Sequence, residues 1–187
     1  MFGMQSFSHS LVVGGTGMLT AATRHVATQS ETLTLVARRP KRLDALDVDA
    51  VERVAADYHA TSTLIEHLEH SAKRHGAFDF GLTWIHSSAD QTLLRVADML
   101  AEQANQTRLI DVQSSGVARP GRESERHRYL ADCDGLCYQR VVLGFVLEDG
   151  ASRWLTHDEI SAGVLDAIES GEDDHTVGVV EPWERRP

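Results

Sequence analysis

The chain has 187 residues, of which 42% are hydrophobic and 25% are charged, which is the composition of an ordinary soluble globular protein. Its formal net charge of −10 disfavours broad electrostatic binding to nucleic acid or to an anionic membrane surface. No apolar run approaches the roughly 20 residues of a membrane span, and residues 1–10 have neither the basic region nor the apolar core of a signal peptide. Two cysteines, Cys133 and Cys137, are too few for a disulfide framework, so we expect a reducing, cytoplasmic environment.

Seven apolar segments predict β-strands, and segments of helical periodicity lie between them. The strands are expected at residues 11–13, 33–36, 51–56, 78–86, 109–113, 141–147 and 177–180. Stripes of apolar residues at helical spacing begin at Leu64, Leu93 and Ile160. This alternation predicts an α/β fold: a Rossmann-type, doubly wound and mostly parallel sheet of six or seven strands, with helices on both faces. Residues 1–187 are expected to form one domain of this kind.

Two local features refine this prediction. Thr156 and Glu159 have the spacing of a capping box before the last helix, and Gly171 suits the end of that helix. Residues 116–137 are polar and charged and have little apolar periodicity. This segment predicts a long loop with one short helix, and loops of such length in a compact domain are usually functional or mobile.

The segment LVVGGTGMLT, residues 11–20, places three glycines where the first strand meets the first helix. Glycine allows the tight turn and the close approach of a pyrophosphate, and the following helix offers free N–H groups to phosphates. Gly14 and Gly17 match the first two glycines of a GxxGxxG pattern, and Thr20 departs from it at the third. A flexible strand-to-helix turn is the alternative. We predict a dinucleotide-binding loop made by Gly14, Gly15, Thr16, Gly17, Met18 and Leu19.

The end of the second strand predicts which dinucleotide is bound. An NAD site usually has an acidic residue about 20 residues beyond the glycines, but Arg38 and Arg39 stand there and no acidic residue follows until Asp44. Two guanidinium groups suit a 2′-phosphate, so NADP is favoured over NAD. The alternative is a solvated turn before a helix that begins at Pro40.

Further candidate residues follow the third and fourth strands. Asp57 and Tyr58 are candidate cofactor residues, and Asp57 either accepts a hydrogen bond from the adenine amino group or caps a helix. Trp84, Ile85 and His86 end the fourth strand, beside the point where the cofactor is expected. His86 is a proton donor, a substrate contact or merely a polar residue at a strand end.

The glycine loop, the arginines after strand two, Asp57 and the order of elements resemble the short-chain dehydrogenase/reductase family. This resemblance, over residues 11–180, implies a serine after strand five and a Tyr-x-x-x-Lys pair on the next helix, where the tyrosine is the acid/base and the lysine lowers its pKa. Ser114 and Ser115 occupy the serine position, and Tyr129 follows Ser115 by 14 positions. Cys133 stands where the lysine is expected, so the sequence resembles small atypical members that lack the pair.

The other tyrosine of this region, Tyr138, is followed at the same spacing by Val142. We expect Tyr129 to be a loop or surface residue, and we expect no metal site at Cys133 and Cys137, because no second ligand pair has zinc-site spacing.

Three hypotheses follow from these patterns. The first is an NADP-dependent oxidoreductase for a small carbonyl or alcohol, with Ser114, His86 or Tyr129 as candidate catalytic residues. The second is a non-catalytic NADP-binding redox sensor or regulatory protein. The third, a structural α/β domain without a ligand, requires the glycines and the arginines to be coincidental. The expected partners are the dinucleotide and a small substrate, and family analogy adds a homo-oligomer.

Overall fold

The computed structural model describes residues 6–49, 51–104, 106–121 and 124–187. Seven of its strands form one parallel sheet in the order β3-β2-β1-β4-β5-β6-β9, and β7 and β8 form a separate antiparallel hairpin. The strands are β1 (Phe7–Val13), β2 (Ser30–Ala37), β3 (Val51–Ala55), β4 (Phe80–Thr83), β5 (Thr107–Ser114), β6 (Leu136–Leu143), β7 (Phe145–Glu148), β8 (Ala151–Trp154) and β9 (Asp174–Val177).

Helices cover both faces of this sheet, so the predicted doubly wound architecture is confirmed. They are α1 (Thr20–Thr28), α2 (Pro40–Asp44), α3 (Thr61–His75), α4 (Asp90–Gln103), α5 (Glu125–Ala131) and α6 (His157–Ser170). Helices α1, α2 and α6 contribute to one apolar core, and α3, α4 and α5 contribute to the other. Successive side chains of β1 point to opposite faces of the sheet, so Val12 packs in the first core and Leu11 and Val13 pack in the second.

The predicted boundaries of α6 are confirmed. The side chain of Thr156 accepts a hydrogen bond from the Glu159 N–H at 3.2 Å, and the Glu159 carboxylate accepts one from the Thr156 N–H at 2.8 Å. Gly171 ends the helix in the left-handed conformation, with φ of 67°. The polar segment 116–137, as far as it is described, contains the end of a 3-10 turn (Ser115–Ala118) and the short helix α5, and β6 begins at Leu136.

The prediction of one strand over residues 141–147 is wrong. Strand β6 ends at Leu143, and the chain turns away at Gly144, where a Cβ would collide with the carbonyl oxygen of Val179. The following residues form the hairpin β7-β8, whose turn holds Asp149 and Gly150 at φ of 48° and 80°. Asp-Gly is a favoured pair for such a turn, so the sequence contained this hairpin signal. The last strand also ends earlier than expected, at Val177.

The sheet has its topological switch point between β1 and β4, which are neighbours although the chain leaves them toward opposite edges. A crevice forms at the carboxyl ends of parallel strands at such a point. The segments that leave these two strands are the glycine loop and the segment that begins with Trp84. Within the described ranges no helix has the length and apolar character needed to cross a bilayer.

Candidate functional site

A cavity of about 340 Å³ lies at the switch point, where β1, β2 and β4 end. Its wall is built from these strand ends, the glycine loop, α2, the end of β3 and the first residue of α6. The lining residues are Val13, Gly14, Thr16, Gly17, Met18, Val36, Ala37, Arg38, Arg39, Arg42, Ala56, Tyr58, Trp84 and His157. Eight predicted cofactor residues are among them. Arg42 and His157 were not predicted from the sequence.

Each of the three glycines in the loop meets a different structural requirement. Gly14 has φ of 80°, and a Cβ on it would lie 2.6 Å from the carbonyl oxygen of Trp84. A Cβ on Gly15 would collide with side chains of Val12 and Thr23, so this glycine permits close packing of α1 on β1. Gly17 has open space toward the cavity. The loop therefore combines a turn, a packing contact and an accessible backbone.

Hydrogen bonds hold this loop in place. The Thr23 hydroxyl donates to the Gly15 carbonyl at 2.9 Å, and the Ser161 hydroxyl on α6 donates to the Met18 carbonyl at 2.8 Å. Thr20, at the position of the third glycine, donates its hydroxyl to the Gly17 carbonyl at 2.6 Å. Leu19 is fully buried in the core beneath the loop. The loop is thus tied to both α1 and α6.

Three guanidinium groups line the cavity where β2 ends: those of Arg38, Arg39 and Arg42. Arg39 precedes α2, and Arg42 lies in the first turns of that helix, which Pro40 begins. In the described part of the chain no carboxylate forms an ion pair with any of the three. No acidic residue among the described ones lines the cavity. This part of the wall carries three positive charges without an ion-paired carboxylate, in a protein of net charge −10.

Asp57 and Tyr58 follow β3. The Asp57 carboxylate is exposed and accepts hydrogen bonds from the His59 N–H at 2.9 Å and the His59 ring at 3.0 Å. These hydrogen bonds, together with the nearby charge of Arg38, lower the pKa of Asp57. Helix α3 has Ala60 as its N-cap, so Asp57 does not cap it. Tyr58 lines the cavity beside Ala56, whereas Asp57 stands outside the wall.

The three residues after β4, Trp84, Ile85 and His86, have different surroundings. Trp84 lines the cavity, and its N–H donates to the Val13 carbonyl at 2.9 Å. Ile85 is 2% exposed and belongs to the core. His86 is exposed, and its Nδ1 accepts a hydrogen bond from the Ser88 N–H at 3.2 Å as the cap of a 3-10 turn. His86 therefore has a local structural role and lines neither this cavity nor the next one.

A second cavity, of about 200 Å³, adjoins the first and shares Trp84 with it. It lies where β5 and β6 end, and both Ser114 and Ser115 line it. Ser114 is exposed, whereas Ser115 is buried and its Oγ accepts a hydrogen bond from Arg186 Nε at 2.8 Å. The remaining wall is largely apolar, from Leu143, Gly144, Trp154, Leu155 and Ile160.

Tyr129 lies outside both cavities, on the exposed side of α5. Its side chain is 46% exposed, and its hydroxyl donates to Asp98 at 2.7 Å. This hydrogen bond, together with the negative charge of Asp98, raises the pKa of Tyr129. Cys133, four residues later, comes after the end of α5 and is a free thiol. The expectation that Tyr129 is a surface residue agrees with this placement.

A buried polar cluster, which the sequence did not predict, joins α5 to its neighbours. Arg126 Nε donates to Asp111 Oδ2 at 2.9 Å, and Arg126 Nη1 donates to Asp90 at 2.8 Å and to the Ile85 carbonyl at 3.0 Å. Tyr138 approaches the same Asp111 oxygen from β6 at 3.4 Å. Burial opposes the charge of Arg126, but the two carboxylates raise its pKa, so the guanidinium stays charged. The cluster fixes α5 to β5.

No group of three or more His, Cys, Asp or Glu side chains that could hold a metal ion occurs within the described ranges. Cys133 and Cys137 are both free thiols, one partly exposed and the other exposed.

The strand order, the glycine loop after β1 and the cavity at the switch point define the Rossmann-type class of α/β proteins. The sequence matches no family model and no curated protein. Solved structures do share its architecture, and those similar to it include short-chain dehydrogenase/reductases.

A short-chain dehydrogenase/reductase from Serratia marcescens superposes with a TM-score of 0.66 at 13% sequence identity, over 94% of this chain and 97% of that one. A bulky-bulky ketone specific alcohol dehydrogenase from Comamonas testosteroni gives a TM-score of 0.65 at 15% identity, over 95% of this chain and 89% of that one. The protein therefore has the fold of the short-chain dehydrogenase/reductases.

Proposed function

We propose that the protein binds NADP(H) in the first cavity and is an oxidoreductase of the short-chain dehydrogenase/reductase type, acting on a small carbonyl or alcohol. One observation carries the cofactor assignment. Arg38, Arg39 and Arg42 line the cavity at the end of β2 without an ion-paired carboxylate in the described chain, and no described acidic residue lines the cavity. A ribose with two free hydroxyls calls for an acidic acceptor, whereas a 2′-phosphate calls for guanidinium groups.

The glycine loop fits the rest of the dinucleotide. A Cβ on Gly17 would project into open space beside Arg42, so the glycine leaves room for a pyrophosphate next to the backbone. Gly14, Gly15, Thr16, Met18 and Leu19 complete the loop, and the N-terminus of α1 adds its partial positive charge. Tyr58 is proposed as a wall of the adenine site and Trp84 as a wall of the nicotinamide site. Asp57 remains a candidate for the adenine amino group.

The second cavity is the proposed substrate site. When bound, NADPH supplies a hydride for a carbonyl carbon. The hydroxyls of Ser114 and Ser115 line this cavity, and either one can donate a hydrogen bond to a substrate carbonyl oxygen. Trp84 borders both cavities, so a substrate here lies next to the proposed nicotinamide site.

A non-catalytic NADP-binding sensor is the second candidate function. It is favoured by the absence of a Tyr-x-x-x-Lys pair, since Cys133 and Val142 follow Tyr129 and Tyr138 at that spacing. The exposed position of Tyr129 also favours it. A screen of small carbonyl compounds for oxidation of NADPH separates the two functions, because the sensor binds NADPH without consuming it. A cytoplasmic location and a homo-oligomeric state remain predictions.

The first experiment is a titration of the protein with NADPH and with NADH, followed by calorimetry or nicotinamide fluorescence. The double variant Arg38→Ala/Arg39→Ala should weaken NADPH binding by more than about tenfold, a loss of ~1.4 kcal/mol or more. NADH binding should change little, because it lacks the 2′-phosphate. A control double variant, Arg24→Ala/Arg95→Ala, removes two exposed arginines outside the cavity. Equal losses for both cofactors would refute the 2′-phosphate assignment.

A further inference from the structure

Arg186 is an exposed residue that adds a positive charge to the wall of the second cavity. Its Nε donates to Ser115 Oγ at 2.8 Å. Its guanidinium carbon lies 4.8 Å from the centre of the Trp154 ring and 5.3 Å from the centre of the Trp183 ring. The two aromatic faces attract the cation and restrict the orientations of its planar group. Arg186 is therefore a preorganised cation in the wall of an otherwise largely apolar cavity.

This cation has no anionic partner within the described residues. The nearby Arg153 provides a contrast, because it pairs with Glu148 and with Glu159, each at 2.8 Å. Arg186 uses Nε for Ser115, and its two terminal nitrogens donate no hydrogen bond in the described chain. These nitrogens are the edge with which a guanidinium binds a carboxylate through two parallel hydrogen bonds.

We infer that Arg186 binds a carboxylate of the substrate, so that the substrate is a small carboxylic acid that also carries the reacting carbonyl or alcohol group. The redox part of this inference rests on the proposed function, whereas the carboxylate site does not. Because Ser115 Oγ already accepts a hydrogen bond from Arg186 Nε, a carboxylate is held by the two terminal nitrogens, so the carboxylate and the Ser115 hydroxyl occupy different positions in the site.

The cavity also limits the rest of the substrate. Its volume of about 200 Å³ is below the range of about 300 to 1,000 Å³ that is usual for larger ligands. Leu143, Leu155 and Ile160 line it, which suits a short aliphatic side chain. In the reduction the carbonyl carbon takes up a hydride from NADPH, the oxygen takes up a proton from solvent, and the products are the corresponding hydroxy acid and NADP⁺.

The tryptophans provide a direct test. All three in the chain flank this cavity: Trp84 and Trp154 line it, and Trp183 contacts Arg186. Pyruvate, 2-oxobutyrate and 4-methyl-2-oxopentanoate are each titrated beside the neutral amide of the same acid, at constant ionic strength. Tryptophan fluorescence and calorimetry follow binding, with and without NADP⁺. The wild-type protein should bind the best of the three acids at least about tenfold more tightly than its amide, a difference of ~1.4 kcal/mol.

Arg186→Ala should remove this preference for the acid, and Arg186→Lys should keep part of it because the charge remains. Arg185→Ala is the matched control, since Arg185 donates to the Gly150 carbonyl and does not line the cavity. The inference is overturned if acids and amides bind alike, if no acid binds, or if Arg186→Ala keeps the preference. It is also overturned if Arg186→Ala weakens NADPH binding as much as acid binding, because the anion is then the cofactor's. Failure of the proposed function appears separately, as no NADPH binding in the nicotinamide titration.

Discussion

Gly17 faces Arg42 across the first cavity: a Cβ on Gly17 would lie 3.9 Å from Arg42 Nη1 and within 4 Å of no other described atom outside its chain neighbours. A valine side chain therefore fits the free protein but occupies the space proposed for the pyrophosphate. Gly17→Val should weaken NADPH and NADH binding alike, each by more than about tenfold or ~1.4 kcal/mol. The free energy of unfolding should change by less than about 1 kcal/mol. Calorimetry and urea denaturation measure the two effects.

Two other glycines are controls for that variant. Gly116→Val adds the same side chain at another unobstructed position, where the nearest atom is Ser114 Oγ at 3.7 Å, and it should leave cofactor binding intact. Gly14→Ala should instead destabilise the fold, because Gly14 has φ of 80° and its Cβ would lie 2.6 Å from the Trp84 carbonyl. Normal NADPH binding by Gly17→Val would mean that the dinucleotide does not use this loop.

Tyr129→Phe tests whether Tyr129 acts as the acid/base tyrosine of short-chain dehydrogenase/reductases. The Tyr129 hydroxyl donates to Asp98 at 2.7 Å on the protein surface, away from both cavities. Removing that hydroxyl should leave NADPH affinity, and any rate of NADPH oxidation, within about twofold of the wild type. Ser115→Ala is the comparison, because it removes the hydroxyl in the second cavity. A collapse of turnover in Tyr129→Phe alone would restore the family mechanism.

The sequence predicted the sheet and the glycine loop because both depend on local patterns. Apolar runs located the strands, and glycines at a strand end predicted the turn at Gly14. The hairpin β7-β8 was missed because its first strand continues the apolar run of β6, and only the contact of Gly144 with Val179 separates the two. That contact joins segments 35 residues apart, so the hydrophobic periodicity of the sequence does not predict it.

The residues of the candidate site also divide into those that the local sequence predicts and those that it does not. Arg38 and Arg39 could be predicted because they follow a strand directly. Arg42 joins them through the short helix α2, and its position three residues after Arg39 was a usable clue. Arg186 lies 71 positions from Ser115, so their pairing depends on how the chain after β9 returns to the sheet. Neither composition nor spacing predicts such a contact.

Arg126→Leu should strongly destabilise the protein. Arg126 is 7% exposed and Asp111 is fully buried, so the variant leaves a carboxylate in the interior without its cation. Breaking a buried ion pair from one side costs about 3–5 kcal/mol. Urea denaturation measures this loss as a lower midpoint. Arg95→Leu is the control, because Arg95 pairs with Asp98 at the surface at 3.7 Å, and exposed pairs contribute about 0–1 kcal/mol. Equal effects of the two variants would contradict the structural role of the cluster.

His9 makes the stability of the fold depend on pH. Its ring is fully buried and contacts the Gly76 carbonyl at 2.7 Å and the Thr34 hydroxyl at 2.8 Å. Burial lowers its pKa, because the charged form loses its hydration. The unfolded chain therefore takes up a proton near pH 6.5 that the folded chain does not yet accept. The stabilisation is complete above that pH and is lost as the pH falls toward the folded pKa.

Urea denaturation between pH 7.5 and pH 5 should accordingly show a free energy of unfolding that falls with pH, where one histidine contributes at most ~1.4 kcal/mol per pH unit. His9→Gln should flatten this dependence, although His127, whose pKa burial also lowers, keeps a slope of the same sign. His67→Gln changes an exposed histidine on α3 and should leave the slope unaltered. The narrow pH range lies above the titration of Glu52. The pKa of this carboxyl is below its ordinary value, because Ser71 and Arg74 stabilise its charge against the effect of burial. An unchanged slope in His9→Gln would show that this ring does not control the acid sensitivity.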